Sequence, residues 1–309
     1  MDNFLQLFPQ TLVNGITLGS VYALIALGYS MVYGILKLLN FAHGDIYMIG
    51  AYLGYGAFVL LFTEEGALIP TALIIVIMLI VAMVGAGVVS VAVERFAYRP
   101  LRHAPRIAPL ISALGVSFIL QNMVQITVSP RPLSYGSGTL IPSDAMLNVM
   151  GLPIHFSRIL VIGLTFVLML GLAYFVRGTR LGRAMRAVSM DLDAAEMMGV
   201  DVNQVILATF FIGAALAGAG GVLVGVYLFS IRHTMGFLAG LKGFTAAVVG
   251  GIGSIPGAAV GGLLLGLAEA FGSVYISPTF KDAIAFIILL IVLLIRPTGL
   301  MGQRIVQKV

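Results

Sequence analysis

The sequence predicts an all-α, polytopic membrane helix bundle with about nine membrane segments, and three observations carry that prediction. Of 309 residues, 60% are apolar and only 9% are charged, against roughly 25% charged in an ordinary soluble domain. The mean hydropathy of +1.09 is too high for a water-facing surface. The charges fall in short clusters, and between them run apolar stretches of 17 or more residues. That is close to the length a helix needs to cross roughly 30 Å of hydrocarbon.

In chain order, the gaps between charges place spans at Leu12–Leu36, Ile46–Phe62, Leu68–Val93, Ile107–Val128, Ile159–Val176, Val205–Phe229, Phe244–Ile255, Gly257–Val274 and Ala283–Ile295. The seventh and eighth flank GGIGSIPG (Gly250–Gly257), whose glycines and proline break helices. They are either two thin spans or a re-entrant pair of half-helices. Recurrent GxxxG spacing, as at Gly15/Gly19, Gly50/Gly54 and Gly221/Gly225, predicts close helix packing. An inverted repeat would relate spans one to four with spans six to nine. It would match two polar-interrupted segments, Asn40–Asp45 and Arg232–Lys242.

Lys and Arg set the orientation. Lys37, Arg95, Arg99, Arg102, Arg106, Arg177, Arg180, Arg183, Arg186, Arg296, Arg304 and Lys308 share one side, twelve of the seventeen basic residues. Arg131, Arg158, Arg232, Lys242 and Lys281 lie on the other. The N-terminus is therefore outside and the C-terminus cytoplasmic. The whole chain, 1–309, reads as one transmembrane domain carrying an external loop at 129–157 and an internal loop at 177–204. A pI near 9.6 follows from these cytoplasmic clusters and does not call for nucleic acid.

Several chemistries are excluded early. There are no cysteines, and His43, His103, His155 and His233 share no metal-ligand spacing, so no metal site is expected. The spans hold few titratable groups that could pair for catalysis. Ionisable residues inside or at the edge of the membrane reduce to His43, Asp45, Glu94, Lys242 and Glu269. Such residues are costly in lipid and are functional candidates. Glu94 is expected to pair with Arg95. Asp45 is expected to cap the second span or, with His43, to form a gate. Glu269 either locks helices or faces a path. Asn40, His43, Asp45, Lys242, Thr245 and Glu269 are the candidate path or gate residues.

The internal loop is expected to be helical. In Asp191-Leu-Asp-Ala-Ala-Glu-Met-Met-Gly199, Asp193 and Glu196 have the spacing of a capping box. Ala194, Ala195 and the two methionines form a small apolar surface, and Gly199 is a helix terminator.

This loop resembles the EAA loop of ABC importer permeases, with Asp193 in place of the first Glu. More specific segments are Gly15–Tyr52, Glu94–Arg102, Lys242–Ala270 and Arg296–Leu300. They resemble the permease subunit of branched-chain amino acid ABC transporters, of LivH type. The resemblance runs from about residue 11 to the end of the chain. It implies a multi-pass protein of the bacterial inner membrane that forms half of a path for leucine, isoleucine or valine. It also implies four kinds of contact: a homologous second permease, two cytoplasmic ABC ATPases, a periplasmic binding protein and membrane lipid. Arg183, Asp193, Ala194, Ala195, Glu196 and Gly199 would couple to the ATPases. The chain lacks a G-x-x-x-x-G-K-[ST] phosphate loop, so it is expected to be no enzyme. ATP and Mg would be used by the partners, and this chain would bind no cofactor. Two other readings are a related permease for urea, amides or other amino acids, and an ion-coupled secondary carrier.

Overall fold

A computed structural model describes residues 2–302 apart from 64–65, 103, 106, 136–139, 143–144 and 150–151, with side chains from residue 7 onward except at 63, 66 and 149. His103, Arg106, Arg304 and Lys308 lie outside the described residues. The long helices are α1 (Asp2–Leu36), α2 (His43–Leu61), α3 (Thr71–Val93), α4 (Ile107–Thr127) and α5 (Phe156–Gly178). Two short helices, α6 (Arg180–Met190) and α7 (Leu192–Met197), precede α8 (Val202–Leu228), α9 (Met235–Gly250), α10 (Ile255–Tyr275) and α11 (Lys281–Ile295). Among the described residues, eight helices are long and apolar enough to span a membrane, and α9 is a shorter apolar ninth.

The break at 251–254 falls inside the glycine-rich stretch that the sequence marked, between α9 and α10. Helix α10 is full length, whereas the 16 residues of α9 reach only about 24 Å. Helix α9 also begins at Met235, well before the expected Phe244. Its end is set by Gly251 and Gly253, both at positive φ (110° and 90°). Helix α10 then starts on the hydroxyl of Ser254, which accepts from the Gly257 N–H, with Pro256 in the first turn.

The chain beyond α11 returns to the end of α9. Leu300 N–H donates to Val249 O and Met301 N–H to Gly250 O, each at 2.9 Å. These bonds satisfy carbonyls that a helix end leaves unpaired. Gly299, at φ 74°, makes the close approach, because a Cβ there would lie 2.5 Å from Val248 O.

Helices α1 and α8 are the buried centre, whereas α5 and α11 are largely exposed. The two most extensive interfaces are α1 on α10 and α3 on α8, and α1 on α9 is matched by α2 on α8. Exchanging α1–α4 for α8–α11 maps each of these contacts onto its counterpart, which is the arrangement expected of an internal repeat. With four spans between them, α1 and α8 run in opposite senses.

The external connections form three small antiparallel ribbons. Strand β1 (Phe62–Thr63) pairs with β2 (Gly66–Ala67), and β4 (Met146–Val149) with β5 (Leu152–His155). Strand β3 (Leu133–Ser134) pairs with β6 (Ser230–Ile231) and ties the 129–157 loop to the end of α8. A cysteine at the exposed Ser134 should be labelled by a membrane-impermeant maleimide from outside. One at Ser189 should react only when the cytoplasmic face is open. The chain has no native cysteine to confuse the result, and labelling of both from one side would overturn the orientation.

Candidate translocation and coupling sites

The two polar-interrupted segments meet. The chain leaves α1 through Lys37 at φ 54° and stays non-helical to Ala42. Asn40 Oδ1 accepts from the Tyr98 hydroxyl at 2.7 Å. Helix α2 then starts at His43, and its second residue lies against the second residue of α9. A Cβ on Gly44 would sit 2.3 Å from Gly236 O and 2.6 Å from Gly240 Cα. The N-terminal ends of two helices, each carrying a partial positive charge, thus converge inside the bundle.

The candidate residues around this crossing are buried. His43 is 1% exposed and packs edge-on to Tyr29, with ring centroids 4.7 Å apart. It fits because Gly28 opposes it, where a Cβ would come within 2.2 Å of Nε2. Asp45 does not cap α2. The N-cap is Ala42, with no side-chain cap bond. Asp45 instead accepts from the Ser117 hydroxyl on α4, and Gln121 Nε2 donates to that same hydroxyl at 3.3 Å. Asp45 Oδ1, His43 Nε2, Asn40 Nδ2 and Thr245 Oγ1 are buried without a hydrogen-bond partner. Four polar groups left so are an unusual concentration for a packed interior.

Lys242 and Glu269 form a second centre, contrary to the expectation that intramembrane charges have little to pair with. Lys242 Nζ lies 2.7 Å from Glu269 Oε1 and 2.6 Å from Asp282 Oδ1. Glu269 Oε2 accepts from the Tyr22 hydroxyl at 2.8 Å, and the ammonium lies over the Tyr22 ring. One cation therefore joins α1, α9, α10 and α11. Lys242 and Glu269 are each 5% exposed, so the ion pair is buried between helices. Tyr22 and Asp282 were not among the expected site residues, since nothing in the spacing marks them.

Glu94 is fully buried, and its partner is Arg102 rather than Arg95. The segment Glu94–Tyr98 is π-helical and Arg99–Leu101 is a 3-10 turn. This change of winding brings Arg102 back over Glu94. Arg102 also donates to Asn203 Oδ1 at 2.7 Å, tying α3 to the start of α8.

In the internal loop, α6 begins on Thr179, whose hydroxyl accepts from Gly182 N–H. Asp191, not Asp193, caps α7 by accepting from Ala194 N–H at 2.9 Å. Asp193 falls in the first turn, where its charge still favours the helix N-terminus. Gly199 ends the segment at φ 82°, as its position implied. Ala195 is buried within the chain, while Met190, Met197 and Met198 are each more than four-fifths exposed. Arg183, Ala194 and Glu196 are exposed beside them. The outward surface is therefore made of methionines, and Ala195 anchors it from beneath.

A bundle of this length, with a helical loop bearing a soft apolar surface on its positively charged side, is a multi-pass membrane protein. Residues 11–293 match the family described as the branched-chain amino acid transport system permease component, and the chain belongs to that family. It is 46% identical to the high-affinity branched-chain amino acid transport system permease protein BraD of Pseudomonas aeruginosa, over 98% of both chains. It is 44% identical to LivH of Escherichia coli, also over 98% of both. Among solved structures, PsaBC from Streptococcus pneumoniae in complex with Fab shares the fold, with a TM-score of 0.52 and 12% identity over 96% of both chains.

Proposed function

We propose that this chain is the translocation subunit of an ATP-driven importer in the bacterial inner membrane and forms half of a path for leucine, isoleucine and valine. The observation that carries this reading is the end-to-end similarity to two permeases of high-affinity branched-chain amino acid systems. A homologous permease would complete the path, and a periplasmic binding protein would deliver the solute. Two cytoplasmic ABC ATPases would bind ATP and Mg, since the sequence has no phosphate loop of its own.

In this reading the α6–α7 loop transmits closure of the ATPases. The α6 residue Arg186 donates to Val176 O at the end of α5, and Gly182 is packed against the carbonyls of Phe175 and Val176. A push on α7 therefore reaches the bundle through a stiff joint. The test is reconstitution with ATPases and loaded binding protein in liposomes. Leucine uptake should require ATP and persist when ion gradients are collapsed. Uptake that follows an ion gradient without ATP would sink the proposal.

A further inference from the structure

The external face holds a cavity of about 240 Å³ between the start of α5, the end of α8, α1 and the β4–β5 ribbon. Its polar lining is Gln10, His155, Ser157, Arg158 and Tyr227. Among the described residues that line it there is no carboxylate. Arg158 Nη1 is buried with no hydrogen-bond partner. A guanidinium hydrogen bond left unmade is costly unless a ligand supplies the acceptor.

The surroundings strengthen the positive potential. Arg158 stands in the first turn of α5, a helix of 23 residues whose unpaired N–H groups and dipole favour an anion. His155 Nδ1 lies 2.8 Å from the Ser157 hydroxyl and accepts from Ser157 N–H at 3.3 Å, which fixes the ring against the start of α5. The wall is rigidly held. Phe229 sits at φ 56°, a conformation that is costly for a bulky residue and persists only where its surroundings impose it. Its carbonyl accepts from Tyr135 N–H at 3.1 Å and from the Ser134 hydroxyl at 3.0 Å. Its ring meets His155 edge-on.

We infer that this cavity is an oxyanion site, with the Arg158 guanidinium as its principal donor. A bare ion would leave most of the space empty, because a water occupies only about 30 Å³. Apolar Met146, Pro153 and Phe229 complete the lining, so the oxyanion carries an organic group. The two sources with that chemistry are an outer-leaflet phospholipid headgroup and the carboxylate of a free amino acid.

The experiment measures the unfolding midpoint of the full chain, purified in detergent with whatever subunits accompany it. The probes are phosphatidylglycerol, inorganic phosphate and leucine, each added separately. At saturation, at least one should raise the wild-type midpoint by roughly 3–6 °C, and Arg158→Gln should lose that shift. Arg158→Lys, which keeps the charge but not the planar fork, should keep part of it. Arg131→Gln, outside the cavity, should keep all of it. A shift from phosphatidylglycerol alone identifies a headgroup, and one from leucine identifies a free amino acid. If Arg158→Gln does not fold, Tyr227→Phe and Gln10→Ala carry the same comparison. The inference is overturned if no probe shifts the wild type, or if the cavity variants respond as the wild type does.

Discussion

Replacing Lys242 by methionine should nearly abolish the accumulation of folded protein in the membrane. The substitution leaves the Glu269 carboxylate buried with only the Tyr22 hydroxyl beside it. Removing one partner of a buried ion pair costs about 3–5 kcal/mol, a large part of a domain's stability. Glu269→Gln should be milder, because Lys242 keeps Asp282 and the amide oxygen can still accept from Tyr22. Glu269→Leu should be worse than Gln, since it leaves the tyrosine donor unpaired. The decisive arm is the double variant Lys242→Met with Glu269→Leu, which removes both buried charges and should recover more folded protein than Lys242→Met alone. Folded yield is read by fluorescence-detected size exclusion of the solubilised chain. A wild-type yield for Lys242→Met would show that the buried ion pair carries no stability.

The second large effect is expected on the surface of α7. Met198→Glu should insert and fold as the wild type does, because the side chain is 84% exposed and surface changes usually stay within about 0.5 kcal/mol. What it should lose is the proposed ATPase. A carboxylate placed in an apolar groove without a partner costs several kcal/mol, and every 1.4 kcal/mol is about tenfold in affinity. Co-purification of the ATPase should fall by at least about tenfold. Gly199→Val should act differently, by straining the positive-φ stop and misdirecting the helix. Ala195→Glu should destabilise the loop itself, since Ala195 faces inward. Full ATPase retention by Met198→Glu would remove the coupling surface from α7.

The spans were legible because hydrocarbon demands long apolar runs, and the loop helix because its glycine stop has few alternatives. Pairings across the bundle were not. Glu94 and Arg95 are neighbours in sequence, but consecutive helical residues do not face each other. Asp191 and Asp193 both offer a capping side chain, and only the backbone geometry at residue 191, φ −156° and ψ 114°, selects the first. Lys242 and Glu269 stand 27 residues apart on different helices, a separation that carries no periodicity. The meeting of Gly44 with Gly236 was foreshadowed only by the matched polar interruptions, and Arg158 had no signal beyond its charge.

The bonds from Leu300 and Met301 to the end of α9 have a consequence for biogenesis. The ribosome makes α9 some fifty residues before it makes the backbone that completes it. During that interval the carbonyls of Val249 and Gly250 must be hydrated or held by insertion factors, and α10 and α11 must both enter the bilayer before the closure can form. A premature stop anywhere from Arg296 to Leu300 would leave every long helix in place and still leave both carbonyls without these donors.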